Sequence, residues 1–208
     1  MFMLALFQQG LYFTFETIGL TYTSASEASI ILGMVPLAVM ILARFLLGEN
    51  ITPRNLIGIF LSIMGIGILV LGAPGFNPAL GGSFFGDILI IGAVIAAAFY
   101  MVYARDLGKR FSAIQITGFQ VIYGTVIFAP LFLIKVAQVQ WSAVTWQSLG
   151  AIVFLSIFAT IGGFLAYNFA LTRTTASKAA IFINGVPVVT AVGAWIILGE
   201  RLSWLQLT

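Results

Sequence analysis

One stretch of this chain occurs twice, 151 residues apart. Residues 23–52 read TSASEASIILGMVPLAVMILARFLLGENIT, and residues 174–203 read TTASKAAIFINGVPVVTAVGAWIILGERLS. The two align without a gap and share 11 of 30 positions, among them Thr23/Thr174, Ser26/Ser177, Pro36/Pro187 and the Leu-Gly-Glu ending at Glu49 and Glu200. Upstream, Phe13/Phe164, Leu20/Leu171 and Thr21/Thr172 continue the match at the same offset. A repeat of this length constrains the fold more than any single residue does, because each copy must find the same kind of neighbours.

The repeated segments are apolar over membrane length. The 208 residues are 61% hydrophobic and 7% charged, more apolar surface than a water-soluble domain can bury. A hydrocarbon layer of about 30 Å needs roughly 20 apolar residues per helix. Seven segments meet that requirement: Phe2–Tyr22, Ala25–Leu47, Pro53–Leu71, Gly86–Leu107, Ala113–Val136, Trp146–Leu171 and Thr175–Leu198. An eighth starts at Ser203. Gly48 and Gly199 are placed to end helices, and Thr52-Pro53 to begin one. The first segment carries Gln8, Gln9 and Glu16 and has no basic leader, so it reads as a retained helix and not a signal peptide. The expected fold is therefore all-α: a polytopic membrane helix bundle with seven full helices and the start of an eighth. The expected division is a first repeat over 1–73, a Pro/Gly-rich linker over 74–85, and a second repeat over 86–208.

Two helices precede the repeated block in the second copy, so the first copy is expected to lack two. The parent fold then has about ten helices, five per repeat, and the chain reads as a fragment of it; the alternative is a natural seven-helix protein. An odd number of helices per repeat inverts one copy relative to the other. The charges agree. Loops after the second, fourth and sixth segments carry Arg44, Arg54, Arg105, Lys109, Arg110, Arg173 and Lys178, whereas the opposite side carries Lys135 and Arg201. This asymmetry puts the Arg105–Arg110 loop in the cytoplasm.

Inverted membrane repeats point to transport rather than catalysis. The chain has no His and no Cys, which removes imidazole bases, thiolate nucleophiles and the usual zinc and haem ligands. No metal and no other cofactor is expected. A net charge of +3, scattered over loops, does not suit a nucleic-acid partner. The expected partners are a small-molecule substrate, the lipid bilayer and, through Glu16, protons. A seven-helix receptor is the alternative outside transport, and the inverted repeat argues against it.

Polar side chains inside apolar helices mark the expected substrate cavity, since lipid penalises them. Gln9, Tyr12 and Glu16 recur at helical spacing in the first segment, and Thr160, Gly163 and Tyr167 occupy the same positions in the sixth, with Asn168 adjacent. Tyr100 on the fourth segment and Asn184 on the seventh complete the set, with Tyr103 a further candidate or an interfacial anchor. The bland alternative for the stripe is hydrogen bonding that merely joins helices. Pro36 and Pro187 fall mid-helix at equivalent places and are the expected hinges, with Gly33 and Asn184 one turn earlier. Glu49 and Glu200 follow helix-ending glycines and are expected to cap or pair at helix junctions.

The pattern T-S-A-S-x-A, then proline, then L-G-E before a short polar linker, present in both halves, resembles the EamA-type branch of the drug/metabolite transporter superfamily. Gly86-Asp87 opening a helix whose end is basic at Arg105 fits the same resemblance. The resemblance covers essentially the whole chain. It implies a ten-helix inverted-repeat bundle in the bacterial plasma membrane that exports small metabolites through a central cavity. That cavity would be lined by the first, second, fourth, sixth and seventh segments. Sugar phosphates and nucleotide sugars, carried on the same fold, call for Arg or Lys in the cavity. Here every basic residue lies near a helix end or loop, which favours neutral or zwitterionic, amino-acid-like cargo.

Overall fold

The computed structural model describes residues 1–71 and 83–186, together with 188, 189, 192, 193 and 196. The linker at 74–82, Pro187, Glu200 and the eighth segment lie outside the described residues. Within them the chain is an all-α bundle. The first span runs through α1 (Phe2–Ala5), a π-helical stretch (Leu6–Tyr12) and α2 (Phe13–Gly19). The second is α3 (Ala25–Leu32) followed by α4 (Val35–Leu47), and the third is α5 (Pro53–Leu71). Helices α6 (Phe84–Leu107) and α7 (Ala113–Val136) are uninterrupted. The sixth span joins α8 (Trp146–Phe154), a second π-helical stretch (Leu155–Gly162) and α9 (Gly163–Arg173). The seventh opens with α10 (Ala176–Ile181) and a 3₁₀ turn (Phe182–Gly185).

Local chemistry accounts for the ends. Ser24, Ser83, Thr145 and Thr175 each accept a backbone N–H three residues ahead, and Ser112 with Gln115 forms a full capping box. Ser83 draws α6 two residues further back than the Gly86 start expected from sequence. Gly48 closes α4 at φ 68°, a left-handed turn that costs glycine little.

Two departures from straight helices matter for the site. The second segment is not one helix bent at Pro36. It breaks at Gly33-Met34, and Pro36 lies in the first turn of α4, where its missing N–H is unpaired in any helix. The π-helical stretches are the other departure. An offset of 151 carries 6–12 onto 157–163, almost the whole of 155–162, so the repeat extends to the distortion of its helices.

Helix α6 is the central post. Its Ile90, Ala93 and Ala104 are fully buried, and its alanines let α4 approach through Val39 and Ala43. At its start, the Ser83 N–H donates to the Tyr22 carbonyl at 2.8 Å and Thr23 Oγ1 donates to Asp87 Oδ1 at 2.7 Å. Only glycine fits at residue 86, where a Cβ would stand 2.8 Å from the backbone of Tyr22 and Thr23. At the other end of α6, Arg105 Nη1 donates to the carbonyls of Leu171 and Thr172, each at 3.1 Å. The first span therefore finishes beside the start of α6, and the sixth finishes beside its end. These two repeat-equivalent spans run in opposite senses, as an inverted repeat requires.

Among the described residues four helical spans, Glu27–Leu47, Phe84–Leu107, Ala113–Val136 and Trp146–Arg173, are long and apolar enough to cross a membrane. Phe45, Phe84, Leu133 and Trp146 project outward, a surface made for lipid. The protein is an integral membrane protein.

Candidate functional site

A cavity of about 230 Å³ lies among the first, second, fourth, sixth and seventh spans. Its walls follow the repeat. Gln8 and Ala159, Tyr12 and Gly163, and Leu32 and Ile183 are equivalent pairs, and each contributes both members. Such pairing is what a site on the axis relating two inverted copies produces. Tyr100 and Met101 enter from α6, and Phe164 and Tyr167 from α9.

Tyr12, Tyr100 and Tyr167 are among the residues that line this cavity. Tyr12 Oη donates to Glu16 Oε1 at 2.8 Å, tying the half-buried carboxylate to the cavity rim. Tyr100 Oη donates to Asn168 Oδ1 at 3.0 Å, and the Asn168 amide donates to Thr117 Oγ1 and Gln120 Oε1, both at 3.0 Å. Asn168 is 0% exposed, so it stands behind the cavity wall and anchors Tyr100. Tyr167 Oη points to Met101 Sδ at 3.3 Å.

Gln9 is placed differently from its neighbours in the stripe. It lines a lateral pocket of about 460 Å³ between the first span, α7 and the sixth span, together with Phe13, Phe128, Thr160 and Phe164. Its stem packs on Gly124, where a Cβ would stand 2.7 Å from Gln9 Cγ, and its buried Oε1 has no hydrogen-bond partner. Gln8 takes the central place instead. Gln8 and Tyr12, four apart, share one face, and the wider turn of the π-helical stretch carries Gln9 further from that face than an α-helix would. The repeat pairing survives the rotation, since Gln9 and Thr160 share the lateral pocket.

Asn184 Nδ2 donates to the carbonyl of Gly33 at 3.0 Å. That carbonyl is free because Leu37 N bonds Met34 O at the break between α3 and α4. Asn184, expected to face the cavity, is thus taken up by this carbonyl. Tyr103 stacks on Phe7 and Phe99. Sequence reasoning missed Thr117 and Gln120. Their spacing with Gly124 marks one polar, small face of α7 and was the available signal.

A second polar junction lies at the end carrying Arg105. Glu49 Oε1 accepts from the Ala176 N–H at 2.8 Å, and Oε2 accepts from Ser177 Oγ at 2.7 Å and Ser177 N–H at 3.3 Å. The carboxylate at the end of one copy caps the first turn of the other, where the helix dipole favours negative charge.

The profile described as the EamA-like transporter family matches residues 1–71 and 84–208. Among curated proteins, the chain is 28% identical over 202 residues to an uncharacterized transporter of Archaeoglobus fulgidus, covering 97% of this chain and 70% of that protein. It is 30% identical over 188 residues to the uncharacterized transporter YetK of Bacillus subtilis, covering 90% of this chain and 57% of that protein. The uncharacterized transporter YyaM of the same organism is 31% identical over 176 residues, with 84% and 57% covered. The chain thus spans little more than half the length of YetK and YyaM. A solved crystal structure superposes over 97% of this chain and 71% of its own, with a TM-score of 0.77 at 18% identity, a likeness of fold.

Proposed function

Because the chain belongs to the EamA-like transporter family, we propose that it works as the larger part of a secondary transporter that exports small neutral or zwitterionic metabolites by alternating access. The observation that carries this reading is the cavity whose walls are drawn in equivalent pairs from two oppositely running copies. A site on such an axis can be opened to either side by rocking one copy against the other. In this reading Gln8, Tyr12, Tyr100 and Tyr167 face cargo, Glu16 and Asn168 hold two of those tyrosines, and Gln9 borders a lateral annex. Asn184 keeps the axis closed beside them. Pro36, beside the break at Gly33, and Pro187 are the hinges, and Glu16 is the group available to exchange protons.

Transport is favoured over catalysis because the matching family and the similar curated proteins are named for transport. Sugar phosphates and nucleotide sugars are disfavoured because no Arg or Lys is among the described residues that line the cavity, and Arg105 is committed to the carbonyls of Leu171 and Thr172. The charge asymmetry supports placing the Arg105–Arg110 loop in the cytoplasm of a bacterial cell.

The test is uptake into inverted membrane vesicles from cells expressing the chain. A panel of radiolabelled amino acids should yield at least one that accumulates above vesicles without the protein, with the gain abolished in Tyr100→Ala. Vesicles that take up no member of the panel above background would defeat the reading.

A further inference from the structure

We infer that the central cavity selects its cargo through an ammonium group, held against tyrosine oxygens and ring faces. This rests on the cavity being the cargo site. A tyrosine hydroxyl has one proton to donate and otherwise accepts. All three cavity tyrosines direct theirs to protein atoms: Tyr12 to Glu16 Oε1, Tyr100 to Asn168 Oδ1 and Tyr167 to Met101 Sδ. The Tyr100 arrangement is held in place, because the Asn168 amide is bound in turn to Thr117 and Gln120. None of the three hydroxyls has a second proton to give, and Tyr12 and Tyr167, the two that are only half-buried, can offer the cavity acceptors alone.

The rest of the wall favours the same ligand chemistry. Among the described lining residues only the Gln8 side chain adds a polar N–H, and none is basic. Phe164 packs edge-on to Tyr100, with ring centroids 6.3 Å apart, and both line the cavity, so aromatic rings make up part of its wall. The Glu16 carboxylate stands directly behind Tyr12. A carboxylate or phosphate entering here meets lone pairs and ring faces and is repelled. An ammonium brings several protons to acceptors that have none of their own to give, and its charge is attracted to the rings and to Glu16. A zwitterion fits with its ammonium on the tyrosines and its anionic end at Gln8.

The experiment uses three probes of one shape: phenethylamine, 2-phenylethanol and 3-phenylpropionate. Each is titrated calorimetrically into the purified chain in lipid nanodiscs. Phenethylamine is expected to bind saturably and at least tenfold more tightly than either of the others. Tyr167→Phe is the most informative variant, since it keeps the ring and breaks only a weak bond to sulfur. It should weaken phenethylamine about tenfold, as loss of one hydrogen bond to a charged group does, and leave 2-phenylethanol little changed. Tyr123→Phe, outside the cavity, is the folding control and should bind as the parent does. Equal or tighter binding of 3-phenylpropionate, an unaffected Tyr167→Phe, or no saturable binding of phenethylamine would each overturn the assignment. Vesicle uptake is read separately, so accumulation of a labelled amino acid alongside equal binding of the two charged probes would reject the ammonium site and leave transport standing.

Discussion

The amide of Asn184 bonds the carbonyl of Gly33 at 3.0 Å, and these two residues are the same position of the repeat, 151 apart. A position touches its own counterpart only where it lies on the axis relating the copies. The bond therefore marks that axis, and it passes beside the cavity to which Leu32 and Ile183, the preceding pair, both contribute.

Breaking this bond should loosen the join between the copies. Asn184→Leu leaves the Gly33 carbonyl without its partner at a buried site, a loss of about 1–3 kcal/mol. Thermal unfolding in detergent should show a lower midpoint, and Asn184→Gln should recover part of it. An unchanged midpoint in the leucine variant would mean that the carbonyl finds another donor.

Asn168 should matter more, because its side chain makes three hydrogen bonds and is 0% exposed. Asn168→Leu strands Tyr100, Thr117 and Gln120 together. The expected cost exceeds that of Thr117→Val, which removes one bond. Scanning calorimetry on both variants gives the comparison, and equal midpoints would show that the network acts through Thr117 alone.

Glu49→Ala uncaps the first turn of α10, at a cost of about 1 kcal/mol. Hydrogen exchange read by mass spectrometry should then quicken at Ala176 and Ser177 and stay unchanged in the α6 core. Glu49→Gln should exchange at an intermediate rate, because the amide still accepts but the charge is gone. Unaltered exchange in the alanine variant would remove Glu49 from the junction.

Membrane orientation is open to a direct measurement, because the chain has no cysteine to confuse labelling. An impermeant maleimide should modify Gln140→Cys in intact cells and reach Arg110→Cys only after permeabilisation; both parent side chains are exposed. The reverse pattern would turn the bundle over.

The sequence by itself determined the class of fold, the extent of most spans and the inverted repeat. These depend on properties that can be summed along the chain. Apolar length sets the spans, capping residues such as Ser112 set helix starts, and an odd number of helices between matching motifs sets the sense of each copy. It also identified Tyr12, Tyr100 and Tyr167 as polar groups needing company away from lipid. The tertiary structure decided which company each one found. Whether Gln8 or Gln9 faces the centre turns on a π-helical stretch, packed against α6 and α7, in which i→i+5 bonds replace i→i+4. Whether Asn184 meets cargo or Gly33 turns on a helix break in another span, which frees a carbonyl only 3.0 Å from it. Thr117 and Gln120 read as an ordinary polar face until α9 brings Asn168 against them. Periodicity places a side chain on its own helix, but the neighbour that takes its hydrogen bond comes from a distant part of the chain, so only packing can choose it.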